Sequence, residues 1–349
     1  MAVFTDAQLE RVVTELGKKN EILYNFVQKY ATNSWAKLQA VVKTGRANEI
    51  FSIGDEFVCK YNYAGTEYDW TWVCADFRNV TLENGDVVPG MVLQSKYCSI
   101  ESIVFDSPEQ VEADEETAQE GVFYYGLTGD TVQASSITLL NLNTGDEIPY
   151  SSYDKVFKSS VYDTSKNICQ YGYNRYKFSA VRKWLNSEKA VGEDWFGQLD
   201  HVGQVKPTNA MTLAGFMAGL DDDFLAVVNP TKIQVATNTV TDGGVTDVMY
   251  DKFWLPSVEE MYGVPQVEGT EGNYFPYWKN RSGLTTRSND AVDGRKIVPI
   301  NSTSAQNCRL RSANRGNSYT AWNVNTSGYF SGYGGASSDY RLAPACVIC

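Results

Sequence analysis

Apolar positions from Thr5 to Tyr30 fall on a seven-residue repeat. Leu9, Leu16, Leu23 and Tyr30 share one offset, and Val13, Asn20 and Val27 share the complementary one. Such spacing is the a/d seam of a coiled coil, with the Asn at an a position setting register. Thr5 and Gln8 have the Thr-x-x-Gln spacing of a capping box, so a helix is expected to start there. Two packings are open: self-association along the seam, or a single amphipathic helix lying on its own domain. A second helix is expected over "SWAKLQAVVKTGRA", ending at Gly45.

From Phe51 the period changes to two. "FSIGDEFVCKY" and "DWTWVCADF" alternate apolar and polar residues, "GMVLQSKYC" is a compact apolar strand, and Asn84-Gly85 in "NVTLENGDVVPG" marks a hairpin. Residues 106–120 hold seven acidic side chains and no basic one, without the spacing of a calcium loop, so a solvated loop is expected. Residues 105–150 read as an insertion, the core resuming near Tyr153. Helical spacing returns in "KFSAVRKWLNSE", where Phe178, Val181, Trp184 and Leu185 share a face. Two short helices follow in "MTLAGFMAGLDDDFLAVV", with Asp221 to Asp223 expected to cap the one at Phe224 rather than bind metal. "TKIQVATNTV" and "DKFWLPSVEEMYG" read as strands. Beyond Gly263 only "CRLRSA", "AWNV" and "RLAPACVI" carry strand-like punctuation.

Composition narrows the function. With 349 residues and 43% apolar content a large core is expected, and the net charge of −12 disfavours nucleic acid and anionic membranes as partners. No apolar run is long enough to span a bilayer, and "MAVFTDAQLE" lacks the charged and apolar regions of a secretory signal, so synthesis in a cytoplasm is expected. A single His, His201, excludes most His-based catalysis and multi-His metal sites. The seven Cys are odd in number and without framework spacing, which fits reduced thiols; Cys346-x-x-Cys349 lacks the second pair a zinc site needs. No catalytic residue, cofactor or metal is expected. The 13% aromatic content suits either a Tyr-rich β fold or a recognition surface.

Between Arg309 and Tyr340, Ser, Tyr, Asn and Gly supply 19 of 32 residues. Disorder would bring few aromatics and many charges; this tract instead interleaves Tyr, Phe and Trp with small polar residues, as binding paratopes do. Leu310, Ala313, Ala321, Trp322, Val324, Phe330, Ala336, Leu342, Ala345 and Val347 recur as frame positions. The tract therefore reads as a folded frame with a polar, Tyr-rich outer face.

The order "RLRSA", "AWNV", a Gly-Tyr-rich stretch and "RLAPA" resembles the C-terminal variable region of C-type-lectin-fold proteins diversified by retroelements. Upstream, "FSIGDEF" with "WTWV", "LQSKYC", "YNRYKFSAVRKWLNS", "GFMAGLDDDFLAVV" and "KFWLPSVEEMYG" resemble the blocks, in order, of a related bacterial and phage domain family of unknown function that ends in such a strand. This resemblance implies an α+β, C-type-lectin-like domain over 49–349, with mixed antiparallel sheets and flanking helices. Before it lies an N-terminal helical oligomerisation segment over 1–48; within it are the insertion and a variable-type region at 309–341. It further implies a homotrimer joined through the N-terminal helix, set in a phage tail virion after synthesis in the bacterial cytoplasm. Such a protein binds a host-surface or other macromolecular ligand. Asn314, Arg315, Asn317, Ser318, Tyr319, Asn323, Asn325, Thr326, Tyr329, Ser331, Tyr333, Ser338, Asp339 and Tyr340 are its exposed ligand-binding positions. The Glu-Pro-Asn loop of calcium-dependent sugar binders is missing, and Trp322-Asn323-Val324 lacks the following Asp. Cys308 and Cys346 could be cast as the cysteine pair of the formylglycine-generating oxidases of the same broad fold, yet nothing around them matches. Two further functions remain open: a structural virion protein using the tract as a fixed subunit interface, and a bacterial surface or effector module.

Overall fold

The computed structural model describes residues 34–107, 173–200, 204–239, 242–267, 269–279, 297–316 and 319–349, with Arg295, four short strands between 138 and 169, and six positions between 5 and 14. It is a mixed α+β structure with few short helices. Five of these are α1 (Trp35–Lys43), α2 (Ala180–Leu185), α3 (Asp222–Leu225), α4 (Val258–Tyr262) and α5 (Pro276–Lys279). The strands are β1 (Glu56–Tyr63), β2 (Thr66–Thr81), β3 (Val87–Ser95), β4 (Ile103–Val104), β5 (Thr138–Leu140), β6 (Glu147–Pro149), β7 (Tyr162–Asp163) and β8 (Ile168–Cys169). They continue with β9 (Thr231–Ala236), β10 (Thr246–Asp251), β11 (Phe253–Trp254), β12 (Cys308–Ala313), β13 (Thr320–Val324), β14 (Phe330–Gly335), β15 (Asp339–Leu342) and β16 (Ala345–Ile348).

Two five-stranded sheets carry the fold, ordered β1-β2-β3-β16-β11 and β14-β13-β12-β15-β4, beside the hairpins β9-β10, β5-β6 and β7-β8. The β2–β3 hairpin turns at the expected Asn84-Gly85, with Gly85 at φ +90°, a left-handed conformation that costs glycine little. The last strand enters the middle of the first sheet, where Cys346 lies opposite both Leu93 of β3 and Phe253 of β11. Burial on both sides explains its unbroken apolar run "ACVI". In the second sheet only β12 and β15 run parallel.

The tryptophans go mostly to the core. Trp35, Trp70, Trp72, Trp184, Trp195, Trp254 and Trp278 are all buried, leaving Trp322 half-buried. Trp72 meets Phe224 at 5.2 Å and Phe253 at 5.9 Å, while Phe216 joins Trp70 and Trp184 at 5.8 and 5.4 Å. Each ring buries a large apolar area, so this cluster supplies much of the driving force.

Several expected boundaries move. "VEEMY" is α4, not strand, because Ser257 and Glu260 close a capping box and Gly263 ends the helix at φ +65°. β14 was not apparent in the Gly-rich "FSGYGG". Asp221 does occupy the N-cap position of α3, but its carboxylate accepts from Lys60 N at 2.7 Å rather than from the helix. At the N-terminus the Thr5–Gln8 capping box forms in both directions, at 2.8 and 3.2 Å. Val12 is buried and Arg11 pairs with Asp55 at 2.8 Å, so this first turn lies against its own domain. The later heptad positions fall outside the described residues. The ends of the segment spanning 107–172 are brought together, since Tyr173 N donates to the buried Asp106 carboxylate at 2.9 Å.

One buried cation ties these parts to the second sheet. Arg311 in β12 is 2% exposed. It donates to the Glu260 carboxylate of α4 and to the carbonyls of Leu255, Glu271 and Gln234. Replacing Arg311 with Ala strands Glu260 without its buried partner and should lower unfolding stability by about 3–5 kcal/mol. Arg78 reaches the same carboxylate at 3.3 Å from a partly exposed position, so Arg78→Ala should cost about 1 kcal/mol or less. Urea denaturation of the two variants checks the difference.

Candidate functional site

The tract from Arg309 to Tyr340 folds as β12 to β15, three strands of which form an antiparallel meander with β14 at the sheet edge. Its frame is set by a second buried cation. Arg309, 1% exposed, donates to the carbonyls of Ala321 at 3.3 Å, Gly334 at 2.9 Å, Gly335 at 2.8 Å and Ser338 at 3.1 Å. The Tyr340 ring lies 4.1 Å from the guanidinium carbon. No acid pairs with it among these contacts, and burial lowers its pKa to about 10, which leaves it cationic at neutral pH. Carbonyl dipoles and an aromatic face thus take the place of a counter-ion.

Two glycines make this possible. A Cβ on Gly334 would lie 2.5 Å from Arg309 Nη1 and 2.9 Å from the Tyr340 ring; one on Gly332 would lie 3.1 Å from the Trp322 ring. Trp322 in turn stacks on Phe330 at 5.1 Å, and Phe330 meets Tyr262 at 4.7 Å and Tyr329 at 5.4 Å. Part of the Gly and Tyr richness is therefore internal packing.

The 314–320 turn is held from outside the tract. Arg315 Nη1 donates to Thr237 O at 2.8 Å, and Thr239 returns bonds from its N and Oγ1 to Arg315 O at 3.0 and 2.9 Å. Asn174 Nδ2 reaches Thr320 O at 2.7 Å and Asn314 O at 3.2 Å. Behind Asn174 stands a buried polar cluster. Arg175 makes two 2.7 Å bonds to Asp247, Tyr173 donates to Asp242, and Asn238 donates to Asn174 Oδ1 at 3.0 Å and to Asp242 at 2.9 Å. Burial pushes the Asp242 carboxyl up to about 7, against the pull of Arg175 and the Tyr173 hydroxyl.

The residues expected at the binding face divide accordingly. Asn323 is corrected: it is 3% exposed, its strand paired with Arg309 on one side and Ser331 on the other. Asn314, Arg315, Asn325 and Tyr340 are half-buried and engaged in the frame. Asn314 Nδ2 donates to Gly332 O at 3.0 Å, and Asn325 Oδ1 accepts from Ser327 N and Tyr329 N at 2.9 and 3.1 Å. Thr326 and Asp339 are exposed, while Tyr319, Tyr329, Ser331 and Ser338 are half-exposed. Asn317, Ser318 and the side chain of Tyr333 lie outside the described residues, as does His201. Among the described residues no group of His, Cys, Asp or Glu could hold a metal ion, and no helix is long and apolar enough to cross a membrane. Cys346 and Cys349 are buried, with burial raising both thiols, and Cys308 neighbours Cys98 rather than Cys346. Sequence reading missed the roles of Tyr173, Asn174 and Arg175. The block "YNRYKF" flagged that stretch, but its contact with the turn at 314–320 spans 140 residues or more.

A family model described as a domain of unknown function, DUF6273, matches residues 151–349. Neither the curated proteins nor the solved structures contain a match.

Two predictions follow from this geometry. Gly334→Ala should destabilise the protein by about 1–3 kcal/mol through overpacking, whereas Ser331→Ala on the same strand should cost less than about 0.5 kcal/mol. Chemical denaturation of both variants reads the contrast. Asp242 has a raised folded pKa, so its contribution is fully present below about 4, near the unfolded value. That contribution is lost as pH rises through about 7. The difference in melting temperature between wild type and Asp242→Asn should therefore change between pH 5 and pH 8, with the wild type losing relative stability at pH 8.

Proposed function

The chain belongs to the DUF6273 family, and from that premise we propose that it is a ligand- or receptor-binding protein of a phage tail, with a C-type-lectin-like fold that presents the 309–341 tract to a host surface. One observation carries this reading. The tract's backbone is pinned from within by Arg309 and from behind by Asn174 and Thr239, while Tyr319, Thr326, Tyr329, Ser331 and Asp339 keep exposed or half-exposed side chains. Exposed side chains such as Thr326 and Asp339 can change without moving the frame, which is what a diversified face requires. Tyr gives contact area at low entropy cost, and small polar residues adapt their hydrogen bonds.

The heptads at 9–30 support a homotrimer, and three copies of a weak site would gain strength by avidity. The order of sequence blocks and the two-sheet α+β arrangement support the lectin-like fold, and the retroelement link rests on the tract's composition. Nothing in this reading calls for catalysis, a cofactor, nucleic acid or membrane insertion. A second reading has support of its own: Asn314, Asn325 and Tyr340 are partly consumed by internal contacts, as a fixed subunit interface within a virion would tolerate.

Alanine at Tyr319, Tyr329 and Tyr333 together should weaken attachment to host cells about 100-fold or more, taking each Tyr as a contact of ~1 kcal/mol or more, while the circular dichroism spectrum stays native. Unchanged attachment by the folded triple variant would sink the receptor-binding reading. Assembled particles then discriminate further, since a fixed interface predicts loss of assembly instead.

A further inference from the structure

Two buried cysteines meet where the two large sheets join. Cys98 follows β3 of the first sheet, and Cys308 opens β12, the middle strand of the second. Their meeting is set by backbone pairing. β12 and β15 run in parallel with Cys308 opposite Arg341 and Arg309 opposite Leu342. Leu342 in turn exchanges hydrogen bonds with Ser99: Ser99 N to Leu342 O is 2.8 Å, and Leu342 N to Ser99 Oγ is 2.9 Å. From the other side, Cys98 N donates to Val298 O at 3.1 Å, and Gln306 N, two residues before Cys308, donates to Ile297 O at 3.0 Å. The Cys98 thiol faces Ile297 O at 4.0 Å and the Cys308 thiol faces Gln306 O at 3.6 Å, so both point at one bridge. Both side chains are no more than 1% exposed, and both cysteines are reduced.

We propose that Cys98 and Cys308 are a modification site: a dithiol that closes to an intramolecular disulfide with a peroxide as oxidant, stapling the first sheet to the strand that carries the candidate binding face. With hydrogen peroxide the step balances. One thiolate attacks a peroxide oxygen, the O–O bond breaks, and the departing hydroxide takes up a proton to leave as water. The sulfenic acid so formed is attacked at sulfur by the second thiolate; the S–S bond forms as the S–O bond breaks, and the displaced hydroxide takes up a proton to leave as a second water. Two electrons pass from the thiols to the peroxide.

Burial, and then the neighbouring Cys98 thiol, hold the Cys308 thiol well above its ordinary range, so thiolate is scarce at neutral pH. Closure is therefore slower than oxidation of free cysteine and speeds up as pH rises. Closing the loop from Cys98 to Cys308, more than two hundred residues long, constrains the unfolded chain strongly, and the closed form should melt about 5 °C or more above the reduced one.

The test uses the full-length protein treated with hydrogen peroxide. The expected result is a mass loss of about 2 Da, reversed by dithiothreitol, with peptides containing Cys98 and Cys308 linked in a non-reducing digest and the melting temperature raised. Cys346→Ser should still close and Cys98→Ser should not. The wild-type digest decides alone if Cys98→Ser fails to fold. Oxygen adducts without a cross-link, or a linkage joining another pair such as Cys59 with Cys346, would overturn the proposal.

Discussion

A guanidinium removed from water needs partners in every direction its protons point, and Arg311 finds them on four separate segments. Glu260 of α4 supplies the charge, and Gln234, Leu255 and Glu271 supply carbonyls. Desolvation makes the arrangement expensive if any partner is missing, so the four segments are held together or not at all. The adjacent Ser312 extends the network, donating to Glu271 at 2.6 Å while accepting from Val258 N at 3.0 Å. β12 is thereby fixed against α4 and against the β9-β10 hairpin. Every strand that pairs with β12 inherits that position.

Arg309 then does for the tract what Arg311 does for the domain. Its bonds go to backbone carbonyls of β13, β14 and the turn before β15, none of which depends on the identity of a side chain. Glycine is required where the guanidinium and Tyr340 press against the backbone at Gly334. A frame built from main-chain acceptors and two crowded glycines does not draw on the exposed side chains of Thr326 and Asp339. The 314–320 turn is steadied in the same way, through carbonyls taken by Asn174 and Thr239. The backbone geometry of the tract thus rests on two arginines of one six-residue strand.

Much of this architecture was legible in local sequence. Alternation exposed β1 and β2, a compact apolar run exposed β3, Asn84-Gly85 exposed the β2–β3 hairpin, and Thr5-x-x-Gln exposed the first cap, because each signal depends on neighbours only. What stayed hidden depends on distant partners. Arg309 and Arg311 look like the polar face of an exposed strand until carbonyls 12 to 77 residues away are seen to surround them. "VEEMY" carries strand-compatible residues, and only the Ser257–Glu260 capping box turns it helical. Asn323 resembles its half-buried neighbour Asn325 and its exposed neighbour Thr326, yet the meander buries it between Arg309 and Ser331. The aromatic content left a Tyr-rich β fold and a recognition surface both open, and seven of the eight Trp side chains lie in the core.

The most direct measurement is the gene's 3′ end, sequenced across closely related isolates together with its flanking DNA. If the tract is a diversified face on a fixed frame, substitutions cluster at the codons for Tyr319, Thr326, Tyr329, Ser331, Tyr333, Ser338 and Asp339, matched to adenines in a nearby repeat. Arg309, Arg311, Asn323, Gly332 and Gly334 stay constant. Invariance of those seven codons, or substitutions spread equally over them and the frame, would contradict it.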